Sequence, residues 1–585
     1  MLNYTKEIFF ILGDRKSQAV LILLLFIVSA LIDLVGLGMI IPYISIMVSP
    51  DNLLNEDVKN LFSFLGLSAD RDKLFVELGL LLVFIFFLKA LIGYFVNFTI
   101  IKFTALLTTS LQDRLMLNYL LMPYENFIMN NNSYYMSVIQ SRVGQFSSVI
   151  TSLLKLISDI ILSFSIFALL FISSPYALLL ISSLLIGFSL LYGSIFGKKL
   201  IELGRVSGEY ARLLITGVNE GLTGIKDIRI YGKEKHFLNM VHDGARNSAR
   251  INIKTQTIQS IPRLALEFII IIFIVSLSIG SFLLGFNMID LAPVFALFGL
   301  ASVRLIPIVV NLTNSINHIR YGRAATSILF EEFSSQVQDM DPSQVDSSHH
   351  NMNFDKFIKL SLNNVSYRYP NTSSDSIKDV TMNINKGDTI GIIGKSGSGK
   401  STFVNLLIGF LEPQNGSITY NDNPLKNNYK KWSQKIAYLP QNIFISDDTI
   451  KHNIAIGEED SEIDNNKIIK SLKQANLYSL INKLPDGINT FVGEDGIRLS
   501  GGQRQRIAIA RAFYFEREVL IYDEATSSLD KEMEREIIAE VGLLKNNKTI
   551  IIITHELSIL SDCNRIYRID DGKIIQEGEY KDVIG

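Results

Sequence analysis

"DTIGIIGKSGSGKSTFVNLLIGF", Asp388 to Phe410, reads as an apolar strand ending at Ile393, a glycine-rich turn, and a helix with apolar residues at helical spacing. The turn fits G-x-x-x-x-G-K-S from Gly394 to Ser401. Its glycines let backbone N–H groups crowd around one phosphate. The Lys400 ammonium reaches the β- and γ-phosphates, and the Ser401 hydroxyl is a Mg2+ ligand. In a strand–turn–helix setting this spacing is specific, and it makes the C-terminal part an α/β nucleotide-binding fold.

Two further strands supply chemistry. "REVLIYDEATSSLD", Arg517 to Asp530, is an apolar strand that ends in two carboxylates. Asp523 is placed for the Mg2+ shell, and Glu524 for polarising an attacking water. "TIIIITHE" ends at His555, where an imidazole meets the γ-phosphate. A puzzle comes from "LSGGQRQRIAIARA", Leu499 to Ala512. It is a second glycine turn opening a helix, a natural phosphate cradle, in a chain with one set of magnesium ligands.

Outward from this core the composition changes. The 585 residues are 48% hydrophobic and only 19% charged, against roughly 25% charged in ordinary soluble domains. The apolar excess lies before about residue 320. A formal net charge of -2 gives no global field for nucleic acid, and a single cysteine, Cys563, excludes an internal disulfide. Lys6, Arg15 and Lys16 precede an apolar run too long for a cleavable signal peptide, so that run reads as a retained span.

A spanning helix needs about 20 apolar residues. Six runs qualify: 18–47, 74–101, 148–172, 176–196, 262–284 and 291–316. The segment between the fourth and fifth is rich in Lys and Arg. The outer segment between the first and second has three basic residues against five acids. Both termini and the nucleotide domain are therefore cytoplasmic. The inner connections, 102–147 and 197–261, are polar with a helical pattern. They predict helices running about 30 Å past the bilayer, each pair joined by a crosswise segment near "MNNNSYYMSVIQSRV" and "EGLTGIKDIRIYG". Outside, Leu54, Val58, Leu61 and Leu65 form one stripe of a short amphipathic helix.

Charges inside spans are expensive and invite a functional reading. Lys155 with Asp159, and Arg263 with Glu267, are four apart and can pair on their own helices. Asp33, Lys89 and Arg304 have no such neighbour. Counted along the spans, Lys89 and Arg304 share a level that suits an anionic headgroup, and Asp33 lies farther out. The alternative is snorkelling, or pairing with another helix. "EEFSSQVQDMDPSQVDSSHHNMN", Glu331 to Asn353, is a polar linker, and its His349 and His350 read as solvated.

Together these segments resemble the nucleotide-binding domain of ABC transporters, with every motif in family order. Gly394, Lys395, Ser396, Gly397, Ser398, Gly399, Lys400, Ser401 and Thr402 look like Walker A, and Val519 to Glu524 like Walker B. Gln441 in "YLPQNIFI" looks like the Q-loop glutamine, Ser528 to Asp530 like the D-loop, and Tyr369 like the aromatic that stacks on adenine. Leu499 with Ser500, Gly501, Gly502 and Gln503 is the family signature. "GEDG" at Gly493 to Gly496 and Ser528 depart from common family usage, away from the chemistry. Six spans followed by such a domain resemble an ABC exporter half-transporter. The resemblance implies a multidomain fold: an all-α six-helix transmembrane exporter domain (1–330), a linker (331–353) and an α/β P-loop NTPase domain (354–585). It implies ATP and Mg2+, with Ser401, Gln441 and Asp523 at the metal and Glu524, His555 and Gln441 catalytic. It also answers the puzzle. In the family two domains meet head to tail, and the signature of one covers the nucleotide on Walker A of the other. A homodimer is the simplest assembly, a heterodimer the alternative.

"LIDLVGLGMIIPYISIMVSP", "SIPRLALEF" and "ASVRLIPIVV" resemble bacterial flippases for lipid-linked oligosaccharides, through Asp33, Gly36, Pro42, Glu267, Arg304 and Pro307. That implies an inner-membrane protein moving a polyprenyl-pyrophosphate glycan, with Arg304 at the pyrophosphate and Lys89 second. Two readings compete. An exporter of hydrophobic drugs, lipids or peptides uses the same engine. An ATP-gated channel or regulator often loses the catalytic Glu, which this chain keeps. Six spans exclude a soluble ABC ATPase acting on nucleic acid.

Overall fold

The computed structural model describes residues 2–13, 16–48, 71–173, 175–283, 288–334, 356–370, 372–523 and 548–584. By packing, the chain divides into two compact units. One comprises residues 1–122 with 130–342, the other 123–129 with 343–585.

The first unit is helical. A short helix α1 (Leu2–Leu12) precedes α2 (Lys16–Val48), which carries the first apolar run. The second run lies on α3 (Arg71–Leu121), a 51-residue helix, about 77 Å long at 1.5 Å per residue. After α4 (Tyr124–Phe127), which belongs to the second unit, α5 (Asn132–Ser137) passes through a π-helical turn at Val138–Arg142 into α6 (Val143–Ser173), the third run. The fourth and fifth runs lie on α7 (Pro175–Thr223) and α9 (Glu234–Leu283), of 49 and 50 residues, joined by the short helix α8 (Ile225–Ile230). The sixth lies on α10 (Met288–Tyr321), and α11 (Arg323–Ser334) follows. Among the described residues, four helices are long and apolar enough to cross a membrane; α2 and α10 carry the remaining two runs. The long cytoplasmic extensions expected from the sequence are present in α3, α7 and α9. The pairs α2–α3, α6–α10 and α7–α9 make the most extensive contacts.

Three expectations need correction. The 129–143 stretch expected to run crosswise holds α5 and a π-helical turn that lead into α6, and a separate short helix, α4, stands before it at Tyr124–Phe127. The reason is local: Pro123 cannot continue a helix, and it caps α4, while Asn131 caps α5 with its side chain and restarts the chain toward α6. The linker was read from Glu331, yet α11 runs to Ser334 with Phe333 buried. Polar composition hid one apolar anchor. Lys89 has no partner on its own helix, and counting along the spans sets it at a different depth from Asp33; the structure realises the alternative of pairing with another helix, as an ion pair between α2 and α3. Counting along a helix cannot fix the offset between two helices. The outer amphipathic stripe, His349 and His350 lie outside the described residues.

The second unit holds two sheets. Strands β1 (Lys359–Tyr367), β2 (Ile377–Asn385), β4 (Asn415–Tyr420) and β5 (Asn423–Pro424) form an antiparallel sheet in the order β2-β1-β4-β5. Strands β3 (Thr389–Ile393), β6 (Ile436–Leu439), β7 (Val519–Asp523), β8 (Thr549–Ile553), β9 (Arg565–Asp570) and β10 (Lys573–Gly578) form the other, in the order β10-β9-β3-β8-β7-β6. Its pairs are parallel except β10–β9. All five residues of β3 and of β8 are buried, as expected of parallel strands covered on both faces.

Strand periodicity sorts these residues into two cores. Ile390, Ile392, Val519, Ile521, Ile551 and Ile553 pack with α12 (Lys400–Ile408). Leu520, Tyr522, Ile550 and Ile552 pack on the other face with α17 (Gly501–Tyr514). Between α12 and α17 in sequence lie α13 (Leu425–Ser433), α14 (Ile450–Ile454), α15 (Asn465–Gln474) and α16 (Tyr478–Ile481). The helices opened by the two glycine turns therefore cover opposite faces of one sheet.

Candidate functional site

The phosphate turn sits between β3 and α12. Gly397 and Gly399 have φ of +80° and +102°, a region that glycine enters without a Cβ penalty. At Gly399 a Cβ would lie 2.7 Å from the Ser376 carbonyl oxygen, and at Gly394 it would collide with the Ile569 carbonyl and the Ser398 hydroxyl. Gly399 caps α12 without a side-chain hydrogen bond, so the first N–H groups of that helix point into the turn. Ser398 Oγ is buried with no hydrogen-bond partner. Lys400 is buried, with Nζ donating to the carbonyls of Gly394 and Lys395 at 2.9 and 3.1 Å. An uncapped helix start, an orphaned hydroxyl and a buried ammonium fit a bound phosphate.

Of the other predicted residues, His555 is brought beside Lys400, and Asp523, Gln441 and Tyr369 end or follow strands of the same unit. His555 follows β8, and its Nε2 lies 3.3 Å from Lys400 Nζ. Asp523 ends β7, beside β8. Gln441 follows β6, beside β7, and is exposed. Tyr369 follows β1, half-buried and edge-on to Tyr367 at 5.1 Å. Glu524 and Ser528 to Asp530 lie outside the described residues. Lys395, Ser396, Gly397 and Ser401 are exposed along the turn and Thr402 is buried. The residues present suit ATP with Mg2+. Lys400 and the turn amides would hold the phosphates, Ser401 and Asp523 the metal. The metal would supply charge neutralisation of the transferring phosphoryl group.

The signature loop is built as a helix start. Ser500 Oγ accepts from Gln503 N at 3.3 Å, and Gln503 Oε1 accepts from Ser500 N at 2.9 Å, a reciprocal capping box. Gly501 and Gly502 leave the first turn of α17 without side chains.

Sequence reading missed one residue. The Tyr438 hydroxyl, on β6, donates to Asp523 Oδ2 at 2.9 Å. Burial first, then the Asp523 carboxylate, push this phenol well above its ordinary range, so it keeps its proton as a donor. The pair is 85 residues apart, and only the β6–β7 register brings it together. The adjacent position in "YLPQ" was the sole signal.

The membrane unit contains a polar cavity of about 570 Å3 between α2, α3, α6 and α10. Its lining includes Asn97, Lys155, Asp159, Asn311, Asn314 and His318, with serine and threonine hydroxyls between them. Lys155 and Asp159 were expected to satisfy each other on one helix. They make no ion pair; both line the cavity, and the Lys155 side chain is exposed. Asn314 Oδ1 is buried and accepts no hydrogen bond. Arg263 and Glu267 do pair as expected, at 3.3 Å. Lys89 is matched by Asp33 instead of standing free for a ligand. The side chain of Arg304, on α10, lies outside the described residues.

Long apolar helices in one unit and a P-loop fold with its strand-end carboxylate and histidine in the other define a membrane-embedded ATPase. A profile described as ABC transporter matches residues 377–527, and one described as ABC transporter transmembrane region matches residues 20–305. The chain belongs to the ABC transporter family, with the exporter's membrane and nucleotide-binding domains fused in one polypeptide, and it couples ATP hydrolysis to transport. It is 29% identical to the ATP-dependent lipid A-core flippase of Saccharophagus degradans, over 89% of this chain and 87% of that protein. It is 28% identical to the Bacillus subtilis protein named "Probable multidrug resistance ABC transporter ATP-binding/permease protein YheI", over 67% and 66%. The structure of a bacterial Atm1-family ABC exporter with ATP bound superposes with a TM-score of 0.78 at 19% identity, covering 98% of this chain and 96% of that one, a likeness of fold. An exporter of this class sits in the cytoplasmic membrane with its ATPase domain in the cytoplasm.

Proposed function

We propose that two copies of this chain form an ATP-driven flippase for a lipid with an anionic, phosphate-bearing glycan head, taken from the cytoplasmic to the outer leaflet. A polyprenyl-pyrophosphate oligosaccharide is the form favoured by the likeness of the first, fifth and sixth spans to such flippases. The observation that carries this reading is the polar cavity with Lys155. A charged side chain within a spanning segment must face protein or water rather than lipid. Lys155 and Asp159 lie 7 and 11 residues into the third span, counted from its cytoplasmic end at Ser148, about 10 and 17 Å deep. The cavity thus belongs to the inner-leaflet side. Hydroxyls, amides and an ammonium suit sugar and phosphate, whereas a site for hydrophobic drugs is lined mainly by apolar and aromatic groups. Of the cations expected at the pyrophosphate, Arg304 is kept; Lys155 replaces Lys89, whose charge Asp33 already answers. The name of the Saccharophagus relative, a lipid A-core flippase, supports a lipid cargo.

The sheet supports the dimer. The phosphate turn and the signature loop open helices on opposite faces, so a second copy is the natural source of the signature loop at each nucleotide. Ser500 and the start of α17 would stabilise γ-phosphate charge, and Glu524 would polarise the attacking water.

The test is reconstitution in liposomes with three cargoes: a polyprenyl-pyrophosphate glycan, lipid A-core and a hydrophobic drug. The expected result is severalfold stimulation of ATP hydrolysis by the first and ATP-dependent appearance of its glycan on the far side. Stimulation by lipid A-core alone would reassign the lipid. Stimulation by the drug alone would overturn the proposal.

A further inference from the structure

Tyr438 opens the stretch that carries Gln441 and is given no role above, yet it touches the residue read as a metal ligand. A carboxylate at a strand end turns about two single bonds, and a metal ligand is effective when a second group holds its orientation. Asp523 has that second group: the Tyr438 hydroxyl reaches Oδ2 at 2.9 Å from the adjacent parallel strand. The ring of Tyr438 packs on the core shared by β3, β7 and α12, so its position is set by the same apolar contacts that hold the phosphate turn.

The short helix α4 belongs to the same compact unit. Tyr124 stacks on Phe410 with ring centroids 5.2 Å apart and planes at 29°. Phe410 comes two residues after α12, the helix opened by the phosphate turn.

We propose that Tyr438 is a positioning residue for Mg2+: its phenol donates to one oxygen of Asp523 and fixes the orientation in which that carboxylate receives the ion. This rests on the reading of Asp523 as a metal ligand. Tyr438→Phe removes the donor and keeps the ring. The full-length protein is loaded with a non-hydrolysable ATP analogue, and Mn2+ binding is followed by the EPR signal of the free ion. Nucleotide affinity is measured separately in EDTA. The expected result is about tenfold weaker Mn2+ binding, with metal-free nucleotide affinity unchanged. In turnover, the Mg2+ concentration at half-maximal rate should rise by a similar factor. Unchanged Mn2+ binding in Tyr438→Phe overturns the inference. So does an equal loss in metal-free nucleotide affinity, which would mean general loosening of the site. An Asp523→Asn control separates the two readings. If it also keeps Mn2+, the assignment of Asp523 fails; if it loses Mn2+ while Tyr438→Phe does not, the inference about Tyr438 alone fails.

Discussion

Lys400 is a cation only 7% exposed to solvent. A buried charge persists where fixed acceptors replace its water, and the carbonyls of Gly394 and Lys395 do so. The turn must therefore keep one backbone path, and Gly394 shows how tightly. A methyl group there meets the Ile569 carbonyl, which is backbone and cannot rotate away. Gly394→Ala should weaken ATP binding at least about tenfold and cost about 1–3 kcal/mol of stability. Isothermal titration and a thermal melt read the two effects, and an unchanged affinity would mean that the turn has slack. The sequence marked Gly394 through its motif; the carbonyl that makes it obligatory comes from β9, 175 residues away, and no spacing rule shows it. Tyr438 is the converse case. Its partner Asp523 was legible, and the hydrogen bond between them was not.

Helix interfaces show the same division. Asp33 on α2 and Lys89 on α3 are both largely removed from solvent and paired. Neutralising one partner of a buried pair typically costs about 3–5 kcal/mol, because the other charge is left without compensation. Asp33→Asn should lower the melting midpoint of the purified protein by several degrees, and Asp33→Asn with Lys89→Met should regain most of it. A single variant as stable as the parent would show that Lys89 finds its compensation elsewhere. The first helix was not read from the sequence at all. Its Glu7 forms an ion pair with Arg323 of α11, Phe10 meets Phe330 edge-on at 5.2 Å, and the Tyr4 hydroxyl donates to the Ile319 carbonyl at 3.2 Å. On the other side of α11, Glu332 accepts from the Tyr134 hydroxyl at 2.6 Å. The segment just before the linker is thus clamped by α1 and α5, through residues that look like ordinary surface positions in one dimension.

For the whole molecule the decisive question is whether each nucleotide uses residues from two copies. Mixed dimers answer it. A chain with Lys400→Ala lacks a phosphate anchor, and a chain with Ser500→Ala lacks the signature hydroxyl. If sites form between copies, the mixed dimer contains one site with both defects and one intact site. Each variant alone should turn over ATP at a small fraction of the parental rate, while the co-purified mixture recovers a substantial part. No recovery would place Lys400 and Ser500 of the same chain at the same nucleotide. Ser500→Ala also removes an N-cap, worth about 1 kcal/mol, so a melt of that variant is the necessary control.

The one-dimensional pattern determined the two-part architecture, the six apolar runs, the long cytoplasmic helices and the phosphate chemistry. These rest on local facts: the length of an apolar run, the period of a strand or helix, and a glycine turn whose residues are consecutive. Tertiary structure decided which charges find each other, as with Lys89 and Asp33; which stay apart around a polar cavity, as with Lys155 and Asp159; and which tyrosine hydrogen-bonds the Asp523 carboxylate. Each of these depends on the offset and rotation between elements far apart in the chain. That geometry is set by the summed packing of many side chains, so no short stretch of sequence carries it.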